Sequence, residues 1–186
     1  DLKGKSVAIS KNTIIEYATD MMVTEGKLNP DDINKTVIKA MPARLEMLQN
    51  GKIDAATLPE PLASVAIKNG ATLLNSSDKL GINPGVLLFT AKATQDKSNE
   101  IEAFYKAYNS AVLYLQKEPV GNYIDALIKD AGFPDDVKDT IKLPSYSKAV
   151  MVGEKDFSNV IKWLKEKQLI KNDYKFAELT YDKYIK

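Results

Sequence analysis

The sequence contains neither cysteine nor histidine. These two absences exclude a Ser-His-Asp triad, a cysteine nucleophile, an imidazole base, an iron–sulfur cluster and the usual zinc sites. They also exclude a disulfide, so cysteine usage does not indicate the redox compartment. Carboxylates could still carry acid–base chemistry or hold a metal ion, but nothing in the composition calls for a cofactor and we expect none.

An excess of charge of one sign is also absent, because 26 basic residues nearly cancel 25 acidic ones and leave a net charge of +1. A nucleic-acid-binding protein needs a concentrated basic face, so we expect no nucleic-acid partner. No apolar run reaches the ~18 residues of a membrane-spanning helix, and the opening residues DLKGK are too polar for a signal peptide. We therefore expect membrane association only through an anchor outside this chain.

Short β-type runs alternate with helical patterns through residues 5–74. The predicted strands cover residues 6–9, 36–38, 53–56 and 71–74. The predicted helices begin near Ile14, Pro42 and Pro59 and end at Gly26, Gly51 and Gly70. Such alternation is typical of an α/β fold in which right-handed crossovers join the strands of a parallel sheet.

Ligands bind at the carboxyl ends of the strands in such sheets, which here are followed by loops that begin at residues 10, 40 and 57. The first loop offers Ser10, Asn12 and Thr13 at the start of a helix, where backbone N–H groups favour an anion or a polar head group. The alternative is that Thr13 and Glu16 form a capping box and only satisfy the helix end.

Two charged residues are further candidates at the same edge. Arg44, the only arginine, lies one turn into the second predicted helix, and its guanidinium suits a carboxylate, sulfonate or phosphate. The alternative for Arg44 is a surface ion pair with Glu16 or another acid. Glu60 lies between two prolines, which would direct its carboxylate toward an amino or amidine-like group. The alternative for Glu60 is that the prolines start a helix whose positive end it favours.

The pattern changes in the second half of the chain. The continuous apolar run at residues 86–90 predicts a strand buried on both faces. Three amphipathic helical stripes follow at residues 101–115, 120–128 and 157–164. A lone strand needs neighbours on both edges, so we expect a further segment or a second chain to cover these apolar faces.

Two stretches resemble the second lobe of a type II periplasmic solute-binding protein: DLKGKSVAIS and ARLEMLQNGKIDAATLPEPLASVAIKNGATLL. A third, WLKEKQLI, resembles the C-terminal helix of the same proteins. They are similar to the SsuA/THI5-like, or NMT1-like, family of ABC-transporter binding proteins. The resemblance implies a second lobe at residues 1–83, then a hinge strand and the helical C-terminal part of the first lobe at residues 84–186, with the hinge near residues 83–85. It also implies that the N-terminal part of the first lobe is missing from this chain.

The resemblance further implies a non-enzymatic, extracytoplasmic protein, periplasmic or anchored as a lipoprotein, that binds a small polar solute between two lobes and delivers it to an ABC permease. Matched position by position, its ligand-facing residues would be Ser10, Asn12, Thr13 and Glu60. A carboxylate at Glu60 favours a pyrimidine-like thiamine precursor, with a sulfonate or nitrate as the other options. The alternatives are the effector domain of a LysR-type regulator and a pyrimidine synthase-like enzyme, whose chemistry would call for the absent histidine and cysteine.

Overall fold

The computed structural model describes residues 2–82, 85–131 and 145–185, together with Pro134, Lys138 and Leu143. The chain divides into two compact units. The first comprises Asp1–Pro84 with Gly132–Lys142, and the second comprises Gly85–Ala131 with Leu143–Lys186. The predicted hinge near residues 83–85 lies largely outside the described residues, which exclude Asn83 and Pro84.

The first unit contains a parallel sheet, as predicted. Its described strands are β1 (Ser6–Ile9), β2 (Asn34–Val37) and β3 (Ala55–Ala56), in the order β2-β1-β3. The central strand pairs in parallel with both neighbours, and its residues Val7, Ala8 and Ile9 are only 3%, 0% and 1% exposed. A strand with partners on both edges and cover on both faces reads as a continuous apolar run, which is what the sequence shows here.

Three helices connect and follow these strands: α1 (Ile14–Glu25), α2 (Met41–Gln49) and α3 (Leu62–Lys68). All three were predicted, but α3 begins at Leu62 rather than at Pro59, so residues 59–61 remain in the loop. Gly51, just beyond α2, has a φ of +65°, a left-handed conformation that glycine adopts without steric cost. A short 3₁₀ turn at Pro30–Asp32 precedes β2.

The core of the first unit includes a cluster of Val7 and Ile9 from β1, Val23 from α1 and Ile33 from the segment before β2. Partly buried apolar residues extend it: Leu2, Ile15, Leu28 and Ala55. The cluster holds α1 against the sheet. It therefore fixes the position of the α1 N-terminus, which lies at the carboxyl end of β1.

The predicted fourth strand at residues 71–74 is wrong. This segment is irregular, and Leu73 and Leu74 are 51% and 62% exposed. Among the described residues of the sheet, β3 has only β1 as a neighbour. A short β-type run becomes a strand only where its backbone can pair, so local composition overestimated the width of the sheet.

The second unit is helical. Its helices are α4 (Ala91–Asp96), α5 (Ser98–Lys117), α6 (Ile124–Ala131), α7 (Glu154–Glu166) and α8 (Phe176–Leu179). The three predicted amphipathic stripes correspond to α5, α6 with the 3₁₀ turn Val120–Asn122 before it, and α7, whereas α4 and α8 were not predicted. The buried residues of this unit include Ile101, Val112, Ile124 and Trp163. Within the described part of the chain, no helix is long and apolar enough to cross a membrane.

The predicted buried strand at residues 86–90 is also wrong. The segment is irregular, and Val86, Leu87 and Leu88 are 58%, 48% and 86% exposed. The ring of Phe89 makes an edge-type contact with Phe104 and a tilted contact with Tyr105 of α5. No described strand pairs with this segment, so its backbone lacks the neighbours that would bury it.

Candidate functional site

The strand order identifies one position on the sheet edge as the candidate site. In the sheet, β2 lies on one side of β1 and β3 lies on the other side. The chain passes from β1 to β2 first and then crosses over β1 to reach β3. The connections therefore diverge between β1 and β3, and ligands of open α/β sheets bind in the crevice outside the carboxyl ends of the strands at such a switch point. The loops that flank it are residues 10–13 after β1 and residues 57–61 after β3.

The loop after β1 is held by side chains of α1. The Thr13 hydroxyl accepts a hydrogen bond from the Ile15 N–H at 3.2 Å and donates one to the Ser10 carbonyl at 2.8 Å. The buried Glu16 carboxylate accepts from the Asn12 N–H at 2.7 Å. Thr13 and Glu16 therefore cap the start of α1, but they do not form the predicted capping box, because both backbone donors lie one residue earlier than in that motif.

Asn12 has a φ of +60°, a left-handed conformation that asparagine adopts more readily than most residues. Its side chain is exposed and has no hydrogen-bond partner among the described residues. The backbone N–H of Thr13 also has no hydrogen-bond partner among the described residues. These donors are therefore available to a ligand at the positive end of α1.

Arg44 lies behind this loop and is 0% exposed. Its Nη2 donates to the Ser10 hydroxyl at 2.5 Å and to the Ile38 carbonyl at 2.8 Å, and Nε also reaches the Ile38 carbonyl at 3.3 Å. Its Nη1 donates to the Thr57 carbonyl at 2.6 Å. Because Ser10, Ile38 and Thr57 directly follow β1, β2 and β3, one guanidinium joins the carboxyl ends of all three strands.

The alternative of a surface ion pair for Arg44 is therefore wrong. Its hydrogen-bond partners among the described residues are two carbonyls and a hydroxyl, with no carboxylate, and burial lowers the pKa of the guanidinium. Arginine stays charged despite such a shift. The cation lies beneath the switch point, with Ser10 between it and the loop surface.

The loop after β3 contributes Thr57 and Glu60. The Thr57 N–H donates to the Ala8 carbonyl at 3.1 Å, and its hydroxyl lies 2.7 Å from that of Thr19 on α1. One Glu60 oxygen accepts from the Ser64 N–H at 3.1 Å, which supports the alternative that Glu60 caps a helix. Glu60 is exposed and lies on the loop beside the Ser10 loop, but no hydrogen bond joins it to Ser10, Asn12 or Thr13.

A buried ionic cluster under α1 was missed by the sequence analysis. Lys35 of β2 lies 2.5 Å from an Asp20 oxygen and 3.7 Å from a Glu16 oxygen, with side-chain exposures of 17%, 3% and 4% for Lys35, Asp20 and Glu16. Glu16, Thr19 and Asp20 recur with helical spacing on the buried face of α1. A lysine within β2 was the available sign that this face is polar.

A groove of about 430 Å³ in the second unit is a weaker candidate. Its lining includes Phe157, Ile161 and Tyr174 together with the charged face of α7. Lys162 and Lys165 in that lining already form ion pairs with Glu166 and Asp173. No cluster of potential metal ligands occurs among the residues that the structure describes.

Relatives of known structure share the fold. The periplasmic aliphatic sulphonate binding protein SsuA from Escherichia coli superposes with a TM-score of 0.76 at 18% identity, over 97% of this chain and 63% of that chain. The alkanesulfonate-binding protein SsuA from Xanthomonas axonopodis pv. citri, bound to MOPS, gives the same four values. The predicted α/β fold of type II periplasmic binding proteins is thereby confirmed.

Sequence comparison gives a relative with a matching description. A Bacillus subtilis (strain 168) protein named "Putative aliphatic sulfonates-binding protein" is 28% identical over 127 residues, which are 67% of this chain and 37% of that protein. The chain thus spans well under two thirds of the length of this relative. The model of the NMT1-like family matches residues 3–127, more than half of the chain, and the chain belongs to that family.

Proposed function

We propose that this chain is part of the extracytoplasmic binding protein of an ABC importer and that its solute binds at the strand-end edge of the first unit. The observation that carries the proposal is the buried Arg44, which joins the ends of all three strands behind a loop with free donors. Ser10, Asn12, Thr13 and Glu60 surround that edge. Ligands of open α/β sheets generally bind outside the carboxyl ends of the strands, which supports this position for the solute.

The function of such a protein is binding without catalysis. Two lobes close over a solute, and the permease recognises the closed form. The absence of histidine and cysteine from the sequence fits a non-enzymatic role. The matched relatives carry the names of binding proteins, so the regulator alternative has no observation in its favour. The description of the Escherichia coli relative as periplasmic supports an extracytoplasmic location.

Several charges at the site favour an oxyanion, such as an alkanesulfonate, over a cationic pyrimidine. The buried Arg44 has no carboxylate among its partners, and the exposed Lys11 lies in the Ser10 loop. Glu60 is the residue that favoured a cationic solute, but one of its oxygens already accepts a hydrogen bond from the Ser64 N–H of α3. The Glu16 carboxylate accepts a hydrogen bond from the Asn12 N–H. Its negative charge is offset by the Lys35 ammonium, which lies 3.7 Å away. The names of the relatives agree with this assignment.

The exposed apolar residues of the second unit support a further proposal. The consecutive residues Val86, Leu87 and Leu88 are 58%, 48% and 86% exposed, and contiguous exposed apolar side chains mark an interaction surface. We propose that a further lobe segment or a second chain covers this surface. The solved relatives are longer than this chain, which spans 63% of them.

Calorimetric titration with ethanesulfonate, nitrate and an aminopyrimidine tests the proposed site and solute class together. Asn12→Asp places a carboxylate on the strand-end loop and retains a side chain suited to positive φ. Asn50→Asp is the matched control, because Asn50 is exposed and follows α2 at the opposite edge of the sheet. We expect the dissociation constant for ethanesulfonate to rise about tenfold or more in Asn12→Asp and to stay unchanged in Asn50→Asp.

The opposite result is equally informative. Tighter binding of the aminopyrimidine by Asn12→Asp would establish a cationic solute and contradict the oxyanion assignment. Equal effects of the two substitutions would place the solute away from the β1 loop. Binding of none of the three probes would count against the solute-binding function of this chain.

A further inference from the structure

We infer that Arg44 is a positioning residue, which fixes the three strand-end loops and orients Ser10 as a hydrogen-bond donor to the solute. The inference about Ser10 rests on the proposed function, whereas the inference about the loops does not. Arg44 itself is fully buried and does not contact the solute. It affects which solutes bind by positioning the hydroxyl of Ser10.

The shape of the guanidinium explains why arginine occupies this position. Its planar fork offers five N–H donors in fixed directions, and these reach Ser10, Ile38 and Thr57 at the same time. A lysine ammonium has three donors on a single nitrogen and cannot span the three strand ends in one plane. Arg44→Lys therefore keeps the positive charge but removes the simultaneous hydrogen bonds to the three strand ends.

The Ser10 hydroxyl has a proton that is available to the solute. A serine hydroxyl has one proton and can accept through its lone pairs. The Ser10 oxygen accepts from Arg44 at 2.5 Å, and a guanidinium cannot accept a bond in return. Among the described residues the Ser10 proton has no acceptor, and Ser10 retains 9% exposure. The proton is therefore left for an acceptor atom supplied from the crevice.

The other hydroxyls of the two loops have no such spare proton. The proton of Thr13 goes to the Ser10 carbonyl. Thr19 donates its proton to the Ile15 carbonyl at 2.6 Å, so in its contact with Thr57 the donor must be Thr57. Ser10 is thus the hydroxyl at this edge that can discriminate between solutes. It favours head groups that present an acceptor oxygen, such as sulfonate or carboxylate, because a donor-only group such as ammonium would leave this proton unpaired.

A double-mutant cycle on the full chain tests the link between Arg44 and Ser10, with ethanesulfonate as the probe. We expect Arg44→Lys and Ser10→Ala each to raise the dissociation constant about tenfold or more. The double variant should be no more than about twofold weaker than either single variant, because both changes remove the same oriented donor. The control is Val23→Ala, which destabilises the core of the first unit away from the strand ends.

The cycle has clear contrary results. Additive losses in the double variant, or an affinity within about twofold of wild type in Arg44→Lys, would overturn the link to Ser10. An equal loss of affinity in Val23→Ala would show that Arg44 acts only through stability. Tight binding of a donor-only cation that Ser10→Ala leaves unchanged would overturn the specificity assignment.

Hydrogen exchange followed by mass spectrometry tests the effect on the loops without any solute. In Arg44→Lys, we expect faster exchange in residues 10–13, 38–40 and 57–61 together, with unchanged exchange in the middle of α1. Unchanged exchange in the three loops would overturn the positioning role. If wild type binds no ethanesulfonate, the proposed solute class and the role of Ser10 both fail, and the exchange data still decide the role of Arg44.

Discussion

The first unit and the second unit each contain a short β-type run, yet the two runs differ in structure. Ser6–Ile9 is the central strand of a parallel sheet, and Val7, Ala8 and Ile9 are almost fully buried. Residues 86–89 are irregular and between 39% and 86% exposed. The difference lies in the neighbours, since pairing partners on both edges turn an apolar run into a core strand.

The same contrast applies to the polar groups of the two units. In the first unit, several charged residues are buried within networks, as in the contacts of Arg44 and of Lys35 with Glu16 and Asp20. In the second unit, the ion pairs among the described residues are exposed, such as the one between Lys106 and Glu102. Buried polar networks hold geometry at a high cost of disruption, which suits the unit that carries the candidate site.

We expect the largest loss of stability from Arg44→Met. The change leaves the partly buried Ile38 and Thr57 carbonyls without the Arg44 donor, and we expect a loss of about 4 kcal/mol in the free energy of unfolding. The measurement is urea unfolding followed by far-ultraviolet circular dichroism, because fluorescence of the only tryptophan, Trp163, reports on the second unit. Lys162→Met, in which the altered side chain is 77% exposed, is the control. A loss below about 1 kcal/mol in Arg44→Met would show that the carbonyls find other partners.

The next effect compares two lysines. Lys35→Met removes the ammonium that both Glu16 and Asp20 contact, and we expect a loss of about 3 kcal/mol because the carboxylates stay buried. Lys106→Met removes one partner of an exposed pair on α5, whose side chains are 75% and 54% exposed, and should cost about 0.5 kcal/mol or less. Equal losses in the two variants, measured by urea unfolding, would contradict the contrast between buried and exposed networks.

A matched pair of valines tests the two β-type runs directly. Val7 is 3% exposed and Val86 is 58% exposed. We expect Val7→Ala to lower the unfolding free energy by about 2 kcal/mol and Val86→Ala by about 0.5 kcal/mol or less. The same urea titration measures both variants. If Val86→Ala cost as much as Val7→Ala, residues 86–89 would be buried in solution and their exposed conformation would be wrong.

The smallest effect is a dependence on pH at Asp54, whose carboxylate accepts from the Ser6 hydroxyl at 2.6 Å and the Ser6 N–H at 2.8 Å. The bond from the Ser6 hydroxyl is the largest cause that holds the pKa of the Asp54 carboxyl below its usual range. The bond from the Ser6 N–H and the nearby Lys5 act in the same direction. Because the folded-state pKa is depressed, the stabilisation is present above the unfolded pKa of ~3.9 and is lost as the pH falls through the folded value.

We therefore expect Asp54→Asn to be less stable than wild type near neutral pH and to approach it in strong acid. Unfolding free energies of both proteins between about pH 2 and pH 7 measure the difference. A difference that stayed constant over this range would show that the charge of Asp54 contributes nothing, and that only the shape of its side chain matters.

Local signals in the sequence predicted much of the first unit. The strand at residues 6–9 and the helix from Ile14 to Gly26 follow from apolar spacing and a capping residue, and the structure confirms both. The strands predicted at residues 71–74 and 86–90 failed, because pairing depends on distant segments that composition does not reveal. The alternation of strands and helices was sufficient to place Ser10, Asn12, Thr13 and Glu60 at one edge of a parallel sheet.

The details of the site were less predictable. Arg44 was expected to bind a ligand or pair with an acid on the surface, but its partners are two backbone carbonyls and a serine hydroxyl. Backbone carbonyls carry no signature in the sequence, so a buried arginine that uses them resembles an exposed one. The use of Glu60 as a helix cap was foreseen as an alternative, and its role toward a solute stays a prediction.

The most direct test of the account is a titration of the ¹⁵N-labelled chain with ethanesulfonate, followed by backbone amide chemical shifts. We expect the largest shifts at Asn12, Thr13 and Thr57, at the carboxyl ends of β1 and β3, with Lys5 and Lys52 at the opposite edge unchanged. Shifts confined to the opposite edge or to the groove along α7, or no shifts at saturating sulfonate, would contradict it.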